Sequence, residues 1–220
     1  MTVSSPRRAA PVLAYAHGDG VYLNLTNRCP TACLFCLKRL SRWSYEGKDL
    51  RLTAKEPSAA EALAAAESFL ATGKYSEVIF CGYGESTYRL PAMLAVGAEL
   101  SARYPEVRRR LNTVGLGNLI WGRDIVPELK RCVDAVSVSL NTADPEQWRR
   151  LHVPRPAFAD KGYDAVLKFV VDCARAGIDT TVTAVRLPGV EIGAVRDLAR
   201  NLGVKFRLRP LLRDTKRAGS

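Results

Sequence analysis

Residues 21–36 read VYLNLTNRCPTACLFC, and this stretch decides how the whole chain is interpreted. It opens with Val21–Thr26, a short apolar run whose β-branched and aromatic residues predict a strand. Three cysteines, Cys29, Cys33 and Cys36, follow the strand with C-x3-C-x2-C spacing. Three thiolates on one tight loop can each bind a different iron of a [4Fe–4S] cluster, so the spacing predicts an iron–sulfur site.

The missing fourth cysteine matters, because iron–sulfur clusters usually have four cysteine ligands. The other cysteines, Cys81, Cys132 and Cys173, are scattered along the chain. One iron would therefore lack a protein ligand, and a small molecule could occupy that position. One alternative is a Cys3His zinc site, although neither His17 nor His152 lies at zinc-finger spacing. The other alternative is three buried, unreactive cysteines.

Five further strand-like runs lie downstream, with helical patterns between them. They are Glu77–Cys81, Leu111–Leu116, Ala135–Leu140, Thr180–Leu187 and Lys205–Leu211. Alternating strands and helices favour right-handed βαβ units and a parallel sheet. A complete eight-stranded barrel takes about 250 residues, so we expect an α/β fold with a six-stranded parallel partial (β/α)6 TIM-like barrel. A doubly wound open sheet is the alternative, and in both folds the loops after the strands carry the site.

The helical patterns differ in clarity. The clearest is a capping box, Ser58 with Glu61, which begins an apolar stripe that Gly73 ends. The other helical patterns cover residues 91–103, 124–132, 161–176 and 192–202.

The composition describes one globular domain. The chain has 220 residues, 47% hydrophobic and 25% charged, which excludes bulk disorder and a collagen-like fibre. Nothing resembles a membrane helix or a secretory signal, so we expect a cytoplasmic protein without structural disulfides. We divide the chain into an N-terminal segment, 1–20, a core domain, 21–212, and a basic tail, 213–220.

Positive charge is in excess and unevenly distributed. Lys and Arg number 33 against 22 Asp and Glu, a net charge of +11. One basic cluster is Arg108–Arg110, and another lies within residues 205–217. These clusters suggest a nucleic acid, a phosphorylated small molecule or an acidic redox protein as a partner, and an ordinary solvated face is the alternative. Because Phe206 is the one aromatic residue in 205–217, nucleic-acid binding is less favoured.

The cysteine stretch resembles the signature of the radical S-adenosylmethionine (radical SAM) superfamily, C-x3-C-x-aromatic-C, with Phe35 at the aromatic position. The resemblance covers roughly residues 15–212. Its further motifs are CGYGE at 81–85, Ser137, Ser139 and Asn141 marking the end of the fourth strand, and LPGV at 187–190. The strings YLNLTNRC, FCGYGE, GNLIWGRDIVPEL, SVSLNTADPEQW and RLPGVEI are similar to the TatD-family-associated radical SAM proteins. Ser86 and Val114 depart from the family pattern, where Pro and Asn are usual.

The resemblance implies a chemistry. Cys29, Cys33 and Cys36 would bind a [4Fe–4S] cluster, and S-adenosylmethionine would bind its open iron. Reductive cleavage would give a 5′-deoxyadenosyl radical, which abstracts hydrogen from an unidentified substrate that the basic surface suggests is anionic. The residues implied to contact the cofactor are Phe35, Gly82, Tyr83, Gly84, Glu85, Ser139, Asn141, Arg186, Leu187 and Val190.

Several of these residues also have plain structural interpretations. Phe35 either covers the adenine or packs in the core. Glu85 accepts from the cofactor amino group, caps the next helix or binds a nearby arginine. Asn141 either binds the ribose or, just before Asp144 and Pro145, caps the helix that follows. Arg186 either meets the cofactor carboxylate or forms an internal salt bridge.

The sequence also suggests partners. Lys38 and Arg39, just after the cysteine loop, would attract an acidic electron donor of the flavodoxin or ferredoxin type. A functional link to a TatD-type nuclease is implied by the subgroup alone. The alternative functions are an activase that installs a radical on a partner protein, a basic zinc-containing nucleic-acid-binding protein, and a simple iron–sulfur electron carrier.

Overall fold

The computed structural model describes residues 11–53 and 55–211, which form nine strands and nine helices. The strands are Ala14–His17 (β1), Gly20–Leu23 (β2), Ser44–Tyr45 (β3), Lys48–Asp49 (β4), Glu77–Phe80 (β5), Arg108–Thr113 (β6), Ala135–Ser139 (β7), Asp179–Val185 (β8) and Lys205–Arg209 (β9). The helices are Leu37–Leu40 (α1), Ala59–Leu70 (α2), Leu90–Arg103 (α3), Gly117–Trp121 (α4), Val126–Leu129 (α5), Pro145–His152 (α6), Pro156–Ala159 (α7), Gly162–Arg175 (α8) and Ile192–Asn201 (α9). A 3-10 turn covers Ser86–Arg89.

Seven of the strands form one sheet in the order β1-β2-β5-β6-β7-β8-β9. β1 and β2 are antiparallel, and every other neighbouring pair is parallel. The predicted α/β class and mostly parallel sheet are therefore confirmed, and the six predicted strands correspond to β2 and β5–β9. The predicted count of six is wrong by one, because β1 pairs with β2 as well. β1 has the sequence AYAH, which contains no β-branched residue and gave no strand signal.

The sheet has two chemically different faces. Alternate residues such as Val78, Leu111 and Val136 lie in the main hydrophobic core, together with side chains of α2, α3 and α8. The residues between them point the other way, because successive side chains of a strand alternate. We call this second side the inner face. Its side chains are mostly polar and include Arg110, Asn112, Ser137, Ser139, Arg207 and Arg209.

Most predicted helices are present. The capping box is confirmed, since Glu61 N donates to Ser58 Oγ at 3.1 Å and Ser58 N donates to the Glu61 carboxylate at 2.7 Å. α3, α8 and α9 match the patterns at 91–103, 161–176 and 192–202, whereas 124–132 contains only the short α5. Within the described ranges, no helix is long and apolar enough to cross a membrane. The predicted basic tail lies outside the described residues.

The basic cluster Arg108–Arg110 belongs to β6, which begins three residues earlier than the predicted Leu111. Arg108 pairs with Asp179, Arg109 with Asp134 and Arg110 with Glu77. The expectation of a free basic surface here is therefore wrong. Three consecutive arginines lack the apolar pattern that predicts a strand. In the fold, other strands and loops supply a carboxylate for each of these arginines.

Candidate functional site

The cysteine loop follows β2 at the carboxyl edge of the sheet, where the loops after β5 and β7 also arrive. The hydroxyl of Thr31 lies 3.5 Å from Cys29 Sγ and 3.3 Å from Cys33 Sγ, so two of the three sulfurs face one point. Cys36 is the residue from which α1 begins. Three thiols on one loop fit an iron–sulfur cluster, in which each cysteine binds a separate iron. Across 11–53 and 55–211, no three His, Cys, Asp or Glu side chains are arranged around a single metal ion.

Burial controls the protonation of these thiols. Desolvation raises the pKa of Cys33 to about 12, with hydrogen bonding from Thr31 opposing it, and it raises the pKa of Cys29 as well. The thiolates are therefore disfavoured in the absence of a metal. Because metal ligands must be deprotonated, a metal that bound at this loop would release protons, and its charge would replace the solvation that burial removed.

The loop is fixed by a segment far along the chain, the end of α6 and the residues after it. Ala32 N donates to Val153 O at 3.0 Å, and Leu34 N donates to Leu151 O at 2.9 Å. An isolated antiparallel bridge joins Thr31 to Pro154. These backbone bonds hold the cysteines without using their side chains, which leaves the sulfurs available for a cofactor. No pattern in the sequence indicated this pairing.

His152, fully buried at the end of α6, contacts the loop directly. Its Nδ1 lies 3.5 Å from Cys33 Sγ, although spacing in the sequence had argued against it as a neighbour of the cysteines. Its Nε2 lies 3.2 Å from Leu140 O, an acceptor, and 3.1 Å from Asn141 Nδ2, a donor. Both neutral tautomers of His152 therefore have hydrogen-bond partners. With the proton on Nε2, the ring donates to Leu140 O and Nδ1 accepts from a Cys33 thiol. With the proton on Nδ1, the ring donates to a Cys33 thiolate and Nε2 accepts from Asn141 Nδ2.

The surroundings of His152 keep it neutral. Desolvation lowers its pKa to about 3, although the hydrogen bond to Leu140 opposes this. The ring stacks on Trp148 with centroids 4.9 Å apart, and Phe35 packs edge-to-face on it at 5.3 Å. Phe35 therefore packs on a buried side chain of the protein, and its predicted contact with the adenine stays a prediction.

Asn141 joins three elements instead of capping a helix. Its Nδ2 donates to Ser139 Oγ at 2.9 Å, and its Oδ1 accepts from Val185 N at 2.9 Å. It is fully buried with φ of 68°, a left-handed conformation that Asn tolerates better than most residues. The cap of α6 is Asp144, whose carboxylate accepts from Gln147 N at 2.7 Å. The interpretation of Asn141 as a helix cap is therefore wrong.

Gly82 and Gly84 are required by the chain itself. A Cβ at Gly84 would lie 2.1 Å from Thr26 O and 2.8 Å from Arg28 O. A Cβ at Gly82 would lie 2.4 Å from Asn24 Oδ1. Both glycines thus let the loop after β5 lie against the backbone that leads into the cysteine loop.

Glu85 and Tyr83 already have partners within the protein. Glu85 is 2% exposed, and its carboxylate accepts from Thr87 N and Oγ1, from Thr113 Oγ1 and from Val114 N. Burial raises its pKa, although these hydrogen bonds oppose that shift. Glu85 therefore caps the turn that begins at Ser86, and its predicted contact with the cofactor amino group stays a prediction. The hydroxyl of Tyr83 donates to Ser44 O at 2.6 Å.

The predicted residues after β8 are placed differently from one another. Arg186 is exposed, and its side chain has no hydrogen-bond or ion-pair partner among residues 11–53 and 55–211. Leu187 is half-buried, and Val190 is buried within the main core. The predicted salt bridge of Arg186 is therefore absent from the described part of the chain, and its guanidinium is available to a ligand.

Sequence reasoning missed two inner-face arginines on β9. Arg209 Nη2 donates to Ser139 Oγ at 2.9 Å, and Arg207 Nη2 donates to Ser137 Oγ at 3.4 Å. The available signal was the alternation in KFRLR, residues 205–209, which places a cation at every second position of a strand. Such alternation predicts that the cations share one face.

Comparisons with known proteins agree with this architecture. A scan of protein-family models matches residues 23–202 to the radical SAM superfamily. No curated protein gives a significant sequence match. SuiB of Streptococcus suis, solved with its precursor peptide SuiA, superposes with a TM-score of 0.61 over 86% of this chain and 38% of SuiB, at 16% identity.

Two further solved structures show the same fold. A radical SAM methyltransferase from Sphaerobacter thermophilus has a TM-score of 0.56 over 90% of this chain and 68% of its own, at 16% identity. The hydrogenase maturase HydG of Carboxydothermus hydrogenoformans has a TM-score of 0.55 over 87% and 44%, at 20% identity. At these identities the likeness concerns the fold alone, and the chain spans well under half of SuiB and of HydG.

Proposed function

Because this chain belongs to the radical SAM superfamily, we propose that it binds a [4Fe–4S] cluster through Cys29, Cys33 and Cys36, and S-adenosylmethionine at the open iron. It is an enzyme of that superfamily. When bound, the cluster would supply the electron that cleaves S-adenosylmethionine, and the 5′-deoxyadenosyl radical so formed would take a hydrogen atom from the substrate. The observation that carries the proposal is the loop with three cysteines, two of whose sulfurs face the Thr31 hydroxyl.

The residues around the loop support an iron without a fourth protein ligand. Glu85 is held by four hydrogen bonds from its own neighbours, so it is a poor candidate for that position. His152 lies against Cys33 Sγ and is suited to hydrogen bonding with that sulfur. The open position would then be taken by the amino and carboxylate groups of S-adenosylmethionine.

Other residues would position the cofactor. The exposed Arg186 would pair with the cofactor carboxylate, since its guanidinium has no described partner. Ser139 and Asn141 would lie near the ribose, Leu187 and Val190 near the adenine, and the backbone at Gly82–Gly84 near the methionine end. Strands β2 and β5–β9 would curve into the partial (β/α)6 barrel, with the substrate against the inner face. A cytoplasmic location and the TatD link stay predictions from sequence.

An acidic electron donor has a suitable surface beside the cysteine loop. Within the described ranges, three large hydrophobic residues are exposed, Leu34, Leu40 and Val153, at 47%, 46% and 40%. All three border the loop: Leu34 lies within it, Leu40 ends α1, and Val153 O bonds to Ala32 N. Arg39 is exposed in the same region. Exposed apolar side chains beside an exposed cation suit the docking of an acidic flavodoxin or ferredoxin.

Anaerobic reconstitution with iron and sulfide tests the enzyme. We expect wild type to bind iron, to absorb broadly at about 400 nm, and to release 5′-deoxyadenosine with dithionite and S-adenosylmethionine. Cys33→Ala should lose both the cluster and the product. Cys173→Ala is the matched control, because Cys173 is buried on α8 within the main core. Stoichiometric zinc without cofactor cleavage, or unchanged product from Cys33→Ala, would contradict the proposal.

The donor surface has its own test. Arg39→Glu should lower the ratio of flavodoxin-driven to dithionite-driven 5′-deoxyadenosine formation several-fold at low salt, and less at high salt because screening removes the attraction. Arg200→Glu on α9 is the control, since Arg200 pairs with Asp197 on a different element. Equal ratios in the two variants would rule out this docking surface.

A further inference from the structure

The two inner-face arginines of β9 share one geometry. Arg207 is opposite Thr183 and Arg209 is opposite Val185 on β8. Each side chain reaches across β8 to a serine of β7, Arg207 to Ser137 and Arg209 to Ser139. The two guanidinium groups thus lie side by side on the inner face, two residues apart on one strand. Both serines are neutral, so neither balances the charge.

The carboxylates of the same face are already paired with other cations. Glu77 accepts two hydrogen bonds from Arg110, at 2.9 and 2.6 Å. Asp179 pairs with Lys205 at 2.8 Å and also with Arg108. In residues 11–53 and 55–211, no carboxylate forms an ion pair with either Arg207 or Arg209. This part of the inner face therefore carries uncompensated positive charge.

The donors of these arginines are also incompletely used. Arg209 Nε is buried and has no hydrogen-bond acceptor among the described residues. Burial and the neighbouring Arg207 both lower the pKa of Arg209, and burial and Arg110 both lower that of Arg207. A buried guanidinium N–H without an acceptor is costly, and an anion that accepted from it would remove that cost.

We propose that Arg207 and Arg209 bind an anionic group of the substrate, a carboxylate or a phosphate. The assignment of this anion to the substrate rests on the proposed function, whereas the anion site itself does not. The planar fork of arginine matches both groups, and two adjacent forks can hold one anion from two sides.

Position on the strand favours substrate over cofactor. Arg207 lies two residues before Arg209, which places it about 6–7 Å farther from the carboxyl edge where the cysteine loop lies. An anion held by both residues would sit on the inner face below that edge, and the rest of the molecule would extend toward the cysteine loop. Arg186, at the edge itself, stays available for the cofactor carboxylate.

The test uses the full-length reconstituted enzyme and two simple probes, inorganic phosphate and acetate. Calorimetric titration in chloride-free buffer gives the dissociation constant of each probe. We expect wild type to bind at least one of them, and Arg207→Gln and Arg209→Gln to bind it at least about tenfold more weakly, the loss of one charged hydrogen-bond partner. Arg200→Gln, which removes a charge from the outer surface, should bind as wild type does. The probe that binds more tightly identifies the substrate as phosphorylated or carboxylic.

Two results would overturn the proposal. The first is wild type that binds neither probe, and the second is arginine variants that bind the probes as wild type does. If variants of the second kind also lost S-adenosylmethionine affinity, the arginines would be assigned to the cofactor. Arg209→Lys should retain part of the probe affinity, whereas a misfolded variant would not. Failure of the proposed function would instead appear as wild type that forms no cluster and releases no 5′-deoxyadenosine. Because probe binding is measured without turnover, it tests the anion site separately from the activity.

Discussion

Two arginine clusters that look equivalent in the sequence have opposite surroundings in the fold. In β6, residues 108–110 begin the strand at the amino edge of the sheet, and each arginine has a carboxylate partner. In β9, the hydrogen bonds that Arg207 and Arg209 side chains make to the described residues go to serine hydroxyls, and no described carboxylate pairs with them. Charge density along the chain therefore does not indicate where an anion can bind. The position of carboxylates in three dimensions does.

The difference matches a general property of parallel sheets, whose two edges have different roles. The amino ends of strands contribute stability, whereas the carboxyl ends and the loops after them carry the chemistry. The paired cluster behaves as part of the scaffold, because breaking one partly buried pair leaves an orphaned charge. The unpaired arginines cost stability as they stand, which is typical of residues kept for a ligand.

The largest expected effect is at the amino edge. Glu77→Gln should lower the free energy of unfolding by about 2 kcal/mol, because it leaves the largely buried Arg110 without a counter-charge. The Arg110 and Glu77 side chains are only 12% and 16% exposed. Urea denaturation measures the change, with Asp197→Asn on exposed α9 as the control, which should cost less than about 0.5 kcal/mol. Equal losses in the two variants would show that the β6 pairs are not part of the scaffold.

Acid should weaken the amino edge selectively. The hydrogen bond from Lys205, together with Arg108, lowers the pKa of Asp179 below its ordinary 3.8. A carboxyl group with a depressed folded-state pKa stabilises the protein above its unfolded value, and this contribution disappears as pH falls through the folded value. Asp179→Asn should therefore destabilise the protein at pH 7 and reduce the loss of stability between pH 5 and pH 3. Unfolding free energies at pH 7, 5 and 3 measure this, and parallel pH profiles for wild type and variant would contradict it.

The sequence predicted the parallel strands well and their limits less well. Periodicity and β-branched runs located all six parallel strands, because a buried strand must carry apolar residues on at least one face. β1 was not predicted because AYAH lacks that signal, and it is a strand because it pairs with β2. The start of β6 was not predicted because its arginines are stabilised by Glu77 and Asp179, which lie on other strands.

The candidate site was predicted where its residues are adjacent in sequence and missed where they are not. Spacing predicted Cys29, Cys33 and Cys36 as iron ligands, and this assignment stays a prediction. His152 lies 119 residues from Cys33, and only the fold places it against that sulfur. Glu85 and Asn141 were identified by position, but their hydrogen bonds to Val114 N and Val185 N depend on how the strand ends meet. No pattern along one chain encodes those contacts.

The smallest expected effect on stability is at Arg207, in the middle of β9 on the inner face. Arg207→Gln should change the free energy of unfolding by no more than about 0.5 kcal/mol, because it removes an uncompensated charge and a long 3.4 Å hydrogen bond. Added phosphate or acetate then sharpens the contrast, since a ligand that binds only the folded state stabilises it by RT ln(1 + [L]/Kd). Wild type should gain stability with the probe that it binds, whereas Arg207→Gln should gain less. A large decrease in the free energy of unfolding of Arg207→Gln, measured without a probe, would mean that both arginine clusters belong to the scaffold. Only a charge that the protein already balances is costly to remove.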